Sequence, residues 1–319
     1  MKLPFAARLL AVAMLTATAI SLPVSSAFAA DAKKPTVALV MKSLANEFFL
    51  TMEDGAKVYQ KEHSADFDLI SNGIKNESDT AAQIDIVNQM IVKKVDALVI
   101  APADSKALAS VIKKAMDAGI KVVNIDNQLD VDVLKSKNME VPFVGPNNRK
   151  GAKLVGDYLA KQLAAGDQVG IIEGVPTTTN AQQRTAGFKD AMDAAQMKIV
   201  STQSGNWEID KGNAVASAML NEYPNLKALL AGNDSMALGA VSAVRAAGKA
   251  GKVQVVGYDN INAIKPMLKD GRVLATADQF AARQAVFGID TALKMIKGEK
   301  LDIKDGVIET PVELVTKPQ

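Results

Sequence analysis

The chain has 319 residues, one histidine, no cysteine and a formal net charge of +2 at pH 7. This length suits two domains of ordinary size, each able to bury its own core. The near-neutral charge offers no general attraction to nucleic acid or to an anionic membrane. Without cysteine, thiol catalysis and zinc–thiolate sites are excluded. A single histidine makes a Ser-His-Asp triad or a multi-histidine metal site hard to build, and we expect no metal.

The first thirty residues have the organisation of a secretory signal peptide. Lys2 and Arg8 carry positive charge, an apolar run follows from Leu9 to about residue 22, and Ala27-Phe28-Ala29 alternates small and large residues. The apolar run is short for a bilayer span, which needs roughly 20 residues. We therefore predict that residues 1–29 are a signal peptide, that cleavage follows Ala29, and that the protein is exported.

Short β-branched runs alternate with amphipathic stretches along the rest of the chain. The predicted strands are 37–41, 67–71, 97–101, 122–126, 169–173, 199–203, 228–231, 253–258 and 273–277. The predicted helices are 48–62, 79–94, 105–118, 149–164, 180–195, 211–222, 235–247 and 281–297. Near-continuous apolar strands such as ALVIAPA are typical of parallel strands that are buried on both faces. The alternation therefore predicts an α/β fold with parallel sheets.

The alternation pauses once, at 128–147, where the residues show little periodicity. We interpret this segment as a crossover between two α/β units. Neither of the common glycine-rich phosphate-binding motifs follows a predicted strand, so a nucleotide site is not expected. We predict that the protein uses no cofactor.

Polar and aromatic residues follow nearly every predicted strand. In open parallel sheets, ligands bind at the carboxyl ends of the strands. The candidates in the first unit are Lys42, Asn46, Phe48, Phe49, Asp126 and Asn127, and those in the second unit are Gln182, Trp207, Asn233, Asp259 and Gln279. Carboxylates and amides can each engage two neighbouring hydroxyls, and aromatic rings can cover the C–H face of a sugar. The set indicates a small, neutral, polyhydroxylated ligand.

Some of these strand-end residues have simpler structural interpretations. Asp234 and Asn260 are favoured as caps of the helices that follow them. Phe48 and Phe49 taken alone favour the core, although adjacent helical residues do not share a face. Trp207 is the only tryptophan and lies among polar residues, which favours a ligand platform.

Six stretches carry a resemblance to a known family: VALVMKSLANEFFLTMEDGA, VDALVIAPADSKAL, NIDNQ, GNDSMALGAVSAVRAAGK, VVGYDN and VLATADQ. Together they resemble the periplasmic sugar-binding proteins of ABC importers, of the ribose-binding type. The resemblance implies two similar, doubly wound parallel-sheet domains, a three-segment hinge, and a ligand cleft between the domains. It implies an N-terminal lobe of residues 30–144 plus 280–308 and a C-terminal lobe of residues 145–279 plus 309–319.

The resemblance extends to most of the candidate ligand residues. By this resemblance, the chain has the same residue types as the ribose-binding members at Asn46, Phe48, Phe49, Asp126, Asn233, Asp259 and Gln279. Trp207 replaces a phenylalanine. Three positions differ: Lys42 replaces a serine, while Asn127 and Gln182 replace arginines. Arg184 lies two residues beyond Gln182. Fructose-binding members are similar at the lysine, so the resemblance implies a monosaccharide, with ribose first and a fructose-like ketose or a sugar alcohol as the alternative.

The same resemblance implies a role in transport. The expected partner is the membrane permease of an ABC importer, with a chemotaxis receptor as a further candidate, and we expect a periplasmic monomer that binds no nucleic acid. Repressors of this fold carry a DNA-binding segment where this chain has the predicted signal peptide. A secreted carbohydrate-acting enzyme would need paired carboxylates. Asp126 and Asp259 are assigned instead to opposite lobes as hydroxyl acceptors, and we predict no enzymatic activity.

Overall fold

The computed structural model describes residues 33–317, so the predicted signal peptide lies outside the described residues. Within residues 33–317, no helix is long and apolar enough to cross a membrane. The chain forms two six-stranded sheets, each flanked by helices. This arrangement confirms the predicted α/β fold of two parallel-sheet domains.

The first domain is built on an all-parallel sheet. Its strands are β1 (Thr36–Ser43), β2 (Asp68–Ile74), β3 (Ala97–Ile100), β4 (Lys121–Ile125), β5 (Phe143–Pro146) and β11 (Val307–Thr310). The spatial order is β2-β1-β3-β4-β5-β11. Its helices are α1 (Glu47–Glu62), α2 (Thr80–Lys93), α3 (Ala109–Asp117), α4 (Val131–Ser136) and α10 (Ala281–Lys297).

The second domain repeats this plan with one difference. Its strands are β6 (Gln168–Glu173), β7 (Lys198–Ser204), β8 (Leu226–Ala231), β9 (Gln254–Val256), β10 (Ala275–Asp278) and β12 (Glu313–Thr316), in the order β7-β6-β8-β9-β10-β12. The edge strand β12 runs antiparallel to β10. The helices are α5 (Asn148–Ala160), α6 (Thr179–Ala194), α7 (Ile209–Glu222), α8 (Asp234–Ala246), a short 3-10 helix (Asn262–Ile264) and α9 (Lys265–Asp270).

The central strands are buried on both faces, as their apolar sequences predict. In β1, Val37, Leu39 and Met41 belong to the core cluster shared with α1 and α10. Ala38 and Val40 belong to the cluster on the opposite face, under α2 and α3. Because alternate residues of a strand point to opposite faces, a strand between two helical layers needs apolar residues throughout.

The predicted irregular segment 128–147 contains α4 and β5. Asp130 caps α4 by accepting a hydrogen bond from the backbone N–H of Val133 at 2.9 Å. The four residues of β5 are too few to show a period, and the same holds for β11 and β12. The pairing of short strands is decided by their neighbours in the sheet, so the sequence pattern missed them.

The chain passes between the two sheets at three places, after β5, after β10, and between β11 and β12. The predicted lobe boundaries after residues 144 and 308 lie inside β5 and β11. At these positions Val144 pairs with Ile308 in the first sheet. The strands place the crossings at residue 147, at 279–280 and at 311–312. The hinge role of these segments stays a prediction.

Candidate functional site

A small cavity lies at the carboxyl ends of the strands and is lined by both domains. The first domain contributes Lys42, Asn46, Phe48, Phe49, Glu77 and Asp126, and the second contributes Asn180, Arg184, Trp207, Asn233, Asp259 and Gln279. None of these residues exposes more than 9% of its surface. The site is therefore a closed, mostly polar chamber between two aromatic walls.

Lys42 at the end of β1 forms a buried ion pair with Glu77. Its Nζ lies 3.2 Å from Glu77 Oε2, and Asn46 Nδ2 donates to Glu77 Oε1 at 2.8 Å. Burial raises the pKa of Glu77, while Lys42 and Asn46 lower it in part. Asn46 also caps α1 by accepting from the backbone N–H of Phe48 at 3.1 Å. These contacts fix the lysine and partly neutralise its charge.

Arg184 and Asp259 form the corresponding pair in the second domain. Arg184 Nη1 lies 3.4 Å from Asp259 Oδ1 and donates to the carbonyl of Gly232 at 3.0 Å. Its Nε donates to Asn148 Oδ1 at 2.8 Å, and Gln279 Nε2 donates to Asp259 Oδ1 at 2.7 Å. Burial raises the pKa of Asp259 well above its ordinary value, and Arg184 offsets this only in part.

Four buried polar atoms of the cavity residues make no hydrogen bond within residues 33–317, and one of them, Glu77 Oε2, lies in the ion pair with Lys42. The other three are Asp126 Oδ2, Arg184 Nη2 and Trp207 Nε1. Buried polar groups are nearly always paired, so an acceptor and two donors without protein partners indicate a site built for a polar ligand. Burial also raises the pKa of Asp126, which Lys42 and Arg184 lower in part.

Aromatic rings form the walls of the cavity. Phe48 and Phe49 meet edge to face with ring centroids 5.1 Å apart. The Lys42 ammonium lies 5.3 Å from the centroids of both Phe49 and Trp207. The indole of Trp207 packs against Gly174, where an added Cβ would lie 2.0 Å from the ring. Both Phe48 and Phe49 are also part of the core, which confirms the core interpretation, while their contact with a ligand stays a prediction.

Three of the cavity residues have left-handed backbone conformations. The φ angles are 60° at Asp126, 69° at Trp207 and 125° at Asp259. Such conformations are costly for residues other than glycine and persist where the surrounding structure enforces them, often at functional sites. The strain therefore marks the same site as the unpaired polar atoms.

Two of the predicted ligand residues lie outside the cavity lining. Gln182 is exposed, and its amide donates to the carbonyl of Pro176 at 2.9 Å. Because residues two apart on a helix point in different directions, Arg184 faces the cavity instead. Asn127 is buried beside the cavity, where its Oδ1 accepts from the backbone N–H of Asn180 at 3.3 Å.

Glu77 and Asn180 line the cavity and were not among the predicted ligand residues. The predicted second strand ended at residue 71, whereas β2 continues to Ile74. The true strand end would have pointed to Glu77. The predicted helix caps also differ: Asn233, not Asp234, caps α8, and Asn260 donates to Asp278 at 2.9 Å.

The two α/β domains and the polar cavity between them define a two-domain ligand-binding protein. A family model described as "Periplasmic binding protein domain" matches residues 37–300. The chain belongs to this family. The family-level resemblance found in the sequence is confirmed.

Known proteins similar to this chain include sugar-binding proteins. The D-ribose/D-allose-binding protein of Pseudomonas aeruginosa is 76% identical over 312 residues, which cover 98% of each chain. A crystal structure of an ABC transporter solute-binding protein from Burkholderia multivorans, with an unknown ligand represented as α-D-erythrofuranose, is 77% identical with a TM-score of 0.86 and covers 89% of this chain and 100% of that one. The solute-binding protein of Actinobacillus succinogenes with bound D-allose is 36% identical, with a TM-score of 0.83 and coverage of 89% and 98%.

Proposed function

We propose that this protein captures an aldose of the ribose or allose type in the periplasm and delivers it to the permease of an ABC importer. The observation that carries the proposal is the buried cavity at the carboxyl ends of the strands, lined by hydrogen-bonding groups of both domains. The ligands named for the similar proteins from Pseudomonas aeruginosa and Actinobacillus succinogenes support the choice of sugar.

The charges of the cavity support a neutral ligand. Lys42 and Arg184 face three carboxylates, those of Glu77, Asp126 and Asp259. The cations are therefore matched or exceeded by acids, and a sugar phosphate would find no surplus positive charge. Sugar hydroxyls both donate and accept, so they can use the carboxylates and the guanidinium at once.

The two acidic residues suit binding rather than catalysis. Asp126 belongs to the first domain and Asp259 to the second, so one sugar between them would hold the domains together. Asp259 Oδ1 already accepts from Gln279 and lies beside Arg184, so this oxygen is engaged in fixed contacts that suit binding. We infer that hinge segments near 147, 279–280 and 311–312 allow the domains to close on the sugar.

The predicted signal peptide supports the transport role. Cleavage after Ala29 would release a periplasmic protein that begins at Ala30, and the expected working form is a monomer. The permease is the partner that the transport role requires, and a chemotaxis receptor would read the same closed form.

A thermal-shift screen followed by calorimetry tests the proposal. D-ribose and D-allose should raise the melting temperature, because a ligand that binds only the folded state adds about 2.7 kcal/mol of stability at a hundredfold excess over Kd. D-fructose, myo-inositol and ribose 5-phosphate complete the panel. Tighter binding of the ketose or the polyol would change the assigned sugar, and preferred binding of the phosphate would overturn the neutral-sugar assignment.

A further inference from the structure

A carboxylate joins the two domains immediately beside the cavity. Glu47 is the first residue of α1 and lies between the cavity residues Asn46 and Phe48. Its carboxylate accepts from the backbone N–H of Asn262 at 2.8 Å and of Ala263 at 3.1 Å. These two amides open the short 3-10 helix of the second domain, and Glu47 does not line the cavity itself.

A second set of polar contacts joins the domains through the loops after β3 and β4. Ser105 Oγ accepts from the backbone N–H of Thr179 at 2.9 Å, and Thr179 Oγ1 lies 3.0 Å from it. Asn127 Oδ1 accepts from Ser105 Oγ at 3.2 Å and from the Asn180 N–H at 3.3 Å. The first-domain partners follow β3 and β4, and the second-domain partners begin α6.

We propose that these two interdomain contacts, the Glu47 contact and the Ser105 contact, set the sugar affinity without touching the sugar. Both exist only when the domains meet, so each stabilises the closed state whether or not a ligand is present. The apparent Kd equals the intrinsic Kd divided by the fraction of protein in the binding-competent state. The Glu47 contact should contribute more, because hydrogen bonds to an ionised acceptor are stronger than neutral ones.

The first part of the test measures sugar affinity and therefore rests on the proposed function. Glu47→Ala should raise Kd by about tenfold or more, because it removes two charge-assisted hydrogen bonds, and most of the change should appear as faster dissociation. The factor should be the same for each sugar that the wild type binds, because the contact lies outside the cavity. Ser105→Ala should give a smaller rise of roughly two- to fivefold, as expected for neutral hydrogen bonds.

Two further variants keep the result interpretable. Asp54→Ala removes an exposed carboxylate from the same helix and should leave Kd unchanged. Glu47→Gln keeps an acceptor but removes the charge, so its Kd should lie between those of the wild type and Glu47→Ala. Thermal unfolding of each sugar-free variant checks that the fold is intact.

Small-angle scattering of the sugar-free protein gives a readout that needs no ligand. The Glu47→Ala variant should have a larger radius of gyration than the wild type, because fewer molecules are closed. If the wild type binds no sugar, the proposed function fails, and scattering alone then decides the role of the contacts. Equal radii together with equal Kd values overturn the inference, and so does a loss of affinity confined to one sugar, because that would indicate direct contact with the ligand.

Discussion

Asp126 and Asp259 face the cavity from opposite domains, and their partners differ. The Asp259 carboxylate is held by Arg184 and Gln279, whereas Asp126 Oδ2 makes no hydrogen bond within the described residues. Asp126 is therefore the carboxylate that gains most from a ligand hydroxyl. Removing Asp259 also leaves the buried Arg184 charge without its partner, which adds a cost to folding.

Both alanine variants should bind sugar more weakly. Hydrogen bonds to charged groups contribute about 1.5–3 kcal/mol each, so Asp126→Ala or Asp259→Ala should raise Kd by roughly ten- to a hundredfold or more. Asp259→Ala should also lower the melting temperature of the sugar-free protein, while Asp126→Ala should not. Calorimetry and thermal melts measure both effects. Gln182→Ala serves as the control, since its exposed side chain should leave Kd unchanged.

The single tryptophan of the chain reports directly on the cavity. Trp207 lines the chamber and exposes 3% of its surface, so sugar binding should change its environment and its fluorescence. Trp207→Phe should abolish the signal while keeping an aromatic wall. A wild-type protein that binds sugar by calorimetry without a fluorescence change would show that Trp207 does not meet the ligand.

At the scale of single elements, the end of β6 positions the aromatic wall. Gly174 directly follows β6, and a Cβ there would lie 2.0 Å from the Trp207 ring. Gly174→Ala should therefore displace the indole and weaken sugar binding by about tenfold or more, since overpacking costs about 1–3 kcal/mol. Gly170→Ala in the same strand meets the flexible Met219 side chain at 2.7 Å. It should lower stability but leave Kd nearly unchanged, and equal Kd values for the two variants would contradict the positioning role.

The start of α8 contains a buried carboxylate that links three elements. Asp234 accepts from the Thr276 hydroxyl at 2.7 Å and from the Ile261 N–H at 3.0 Å. Burial raises its pKa to about 7, from an ordinary value near 3.9. The native state therefore binds a proton at the Asp234 carboxyl more tightly than the unfolded chain does.

The sign of the pH effect follows from that difference. The Asp234 contribution to the free energy of unfolding should fall as pH rises from about 4 to about 7. Asp234→Asn keeps the shape of the side chain but does not titrate. The free energy of unfolding of this variant should therefore decline less between about pH 4 and about pH 7. Chemical denaturation at several pH values measures the free energy of unfolding, and Asp54→Asn serves as an exposed control. A parallel pH dependence in the wild type and Asp234→Asn would show that Asp234 ionises normally.

At the scale of the whole molecule, the two domains supply complementary halves of one site. Neither half alone surrounds a ligand, so a sugar that contacts both shifts the equilibrium toward the closed form. A saturating sugar should reduce the radius of gyration of the wild type in small-angle scattering. Unchanged scattering with a sugar that demonstrably binds would contradict closure as the binding mechanism. Asp126→Ala is the matched control, because compaction should then need a higher sugar concentration.

The order and type of most elements were predictable from the sequence because their signals are local. Apolar periodicity is complete within each strand or helix, and the strand ends of an open parallel sheet locate a ligand site without further information. Lys42, Asn46, Phe48, Phe49, Asp126, Trp207, Asn233, Asp259 and Gln279 were predicted in this way, together with the resemblance to the family, and they meet in one cavity.

Only the tertiary structure decided which neighbouring side chains face that cavity. Arg184 rather than Gln182 faces inward because the docking of α6 sets its rotation, and Glu77 reaches Lys42 because β2 extends beyond its apolar residues. The short strands β5, β11 and β12 form because partners distant in the chain complete their hydrogen bonding. The Glu47 and Ser105 contacts join residues of different domains. Such contacts depend on how whole domains meet, and no local pattern of residues contains that information.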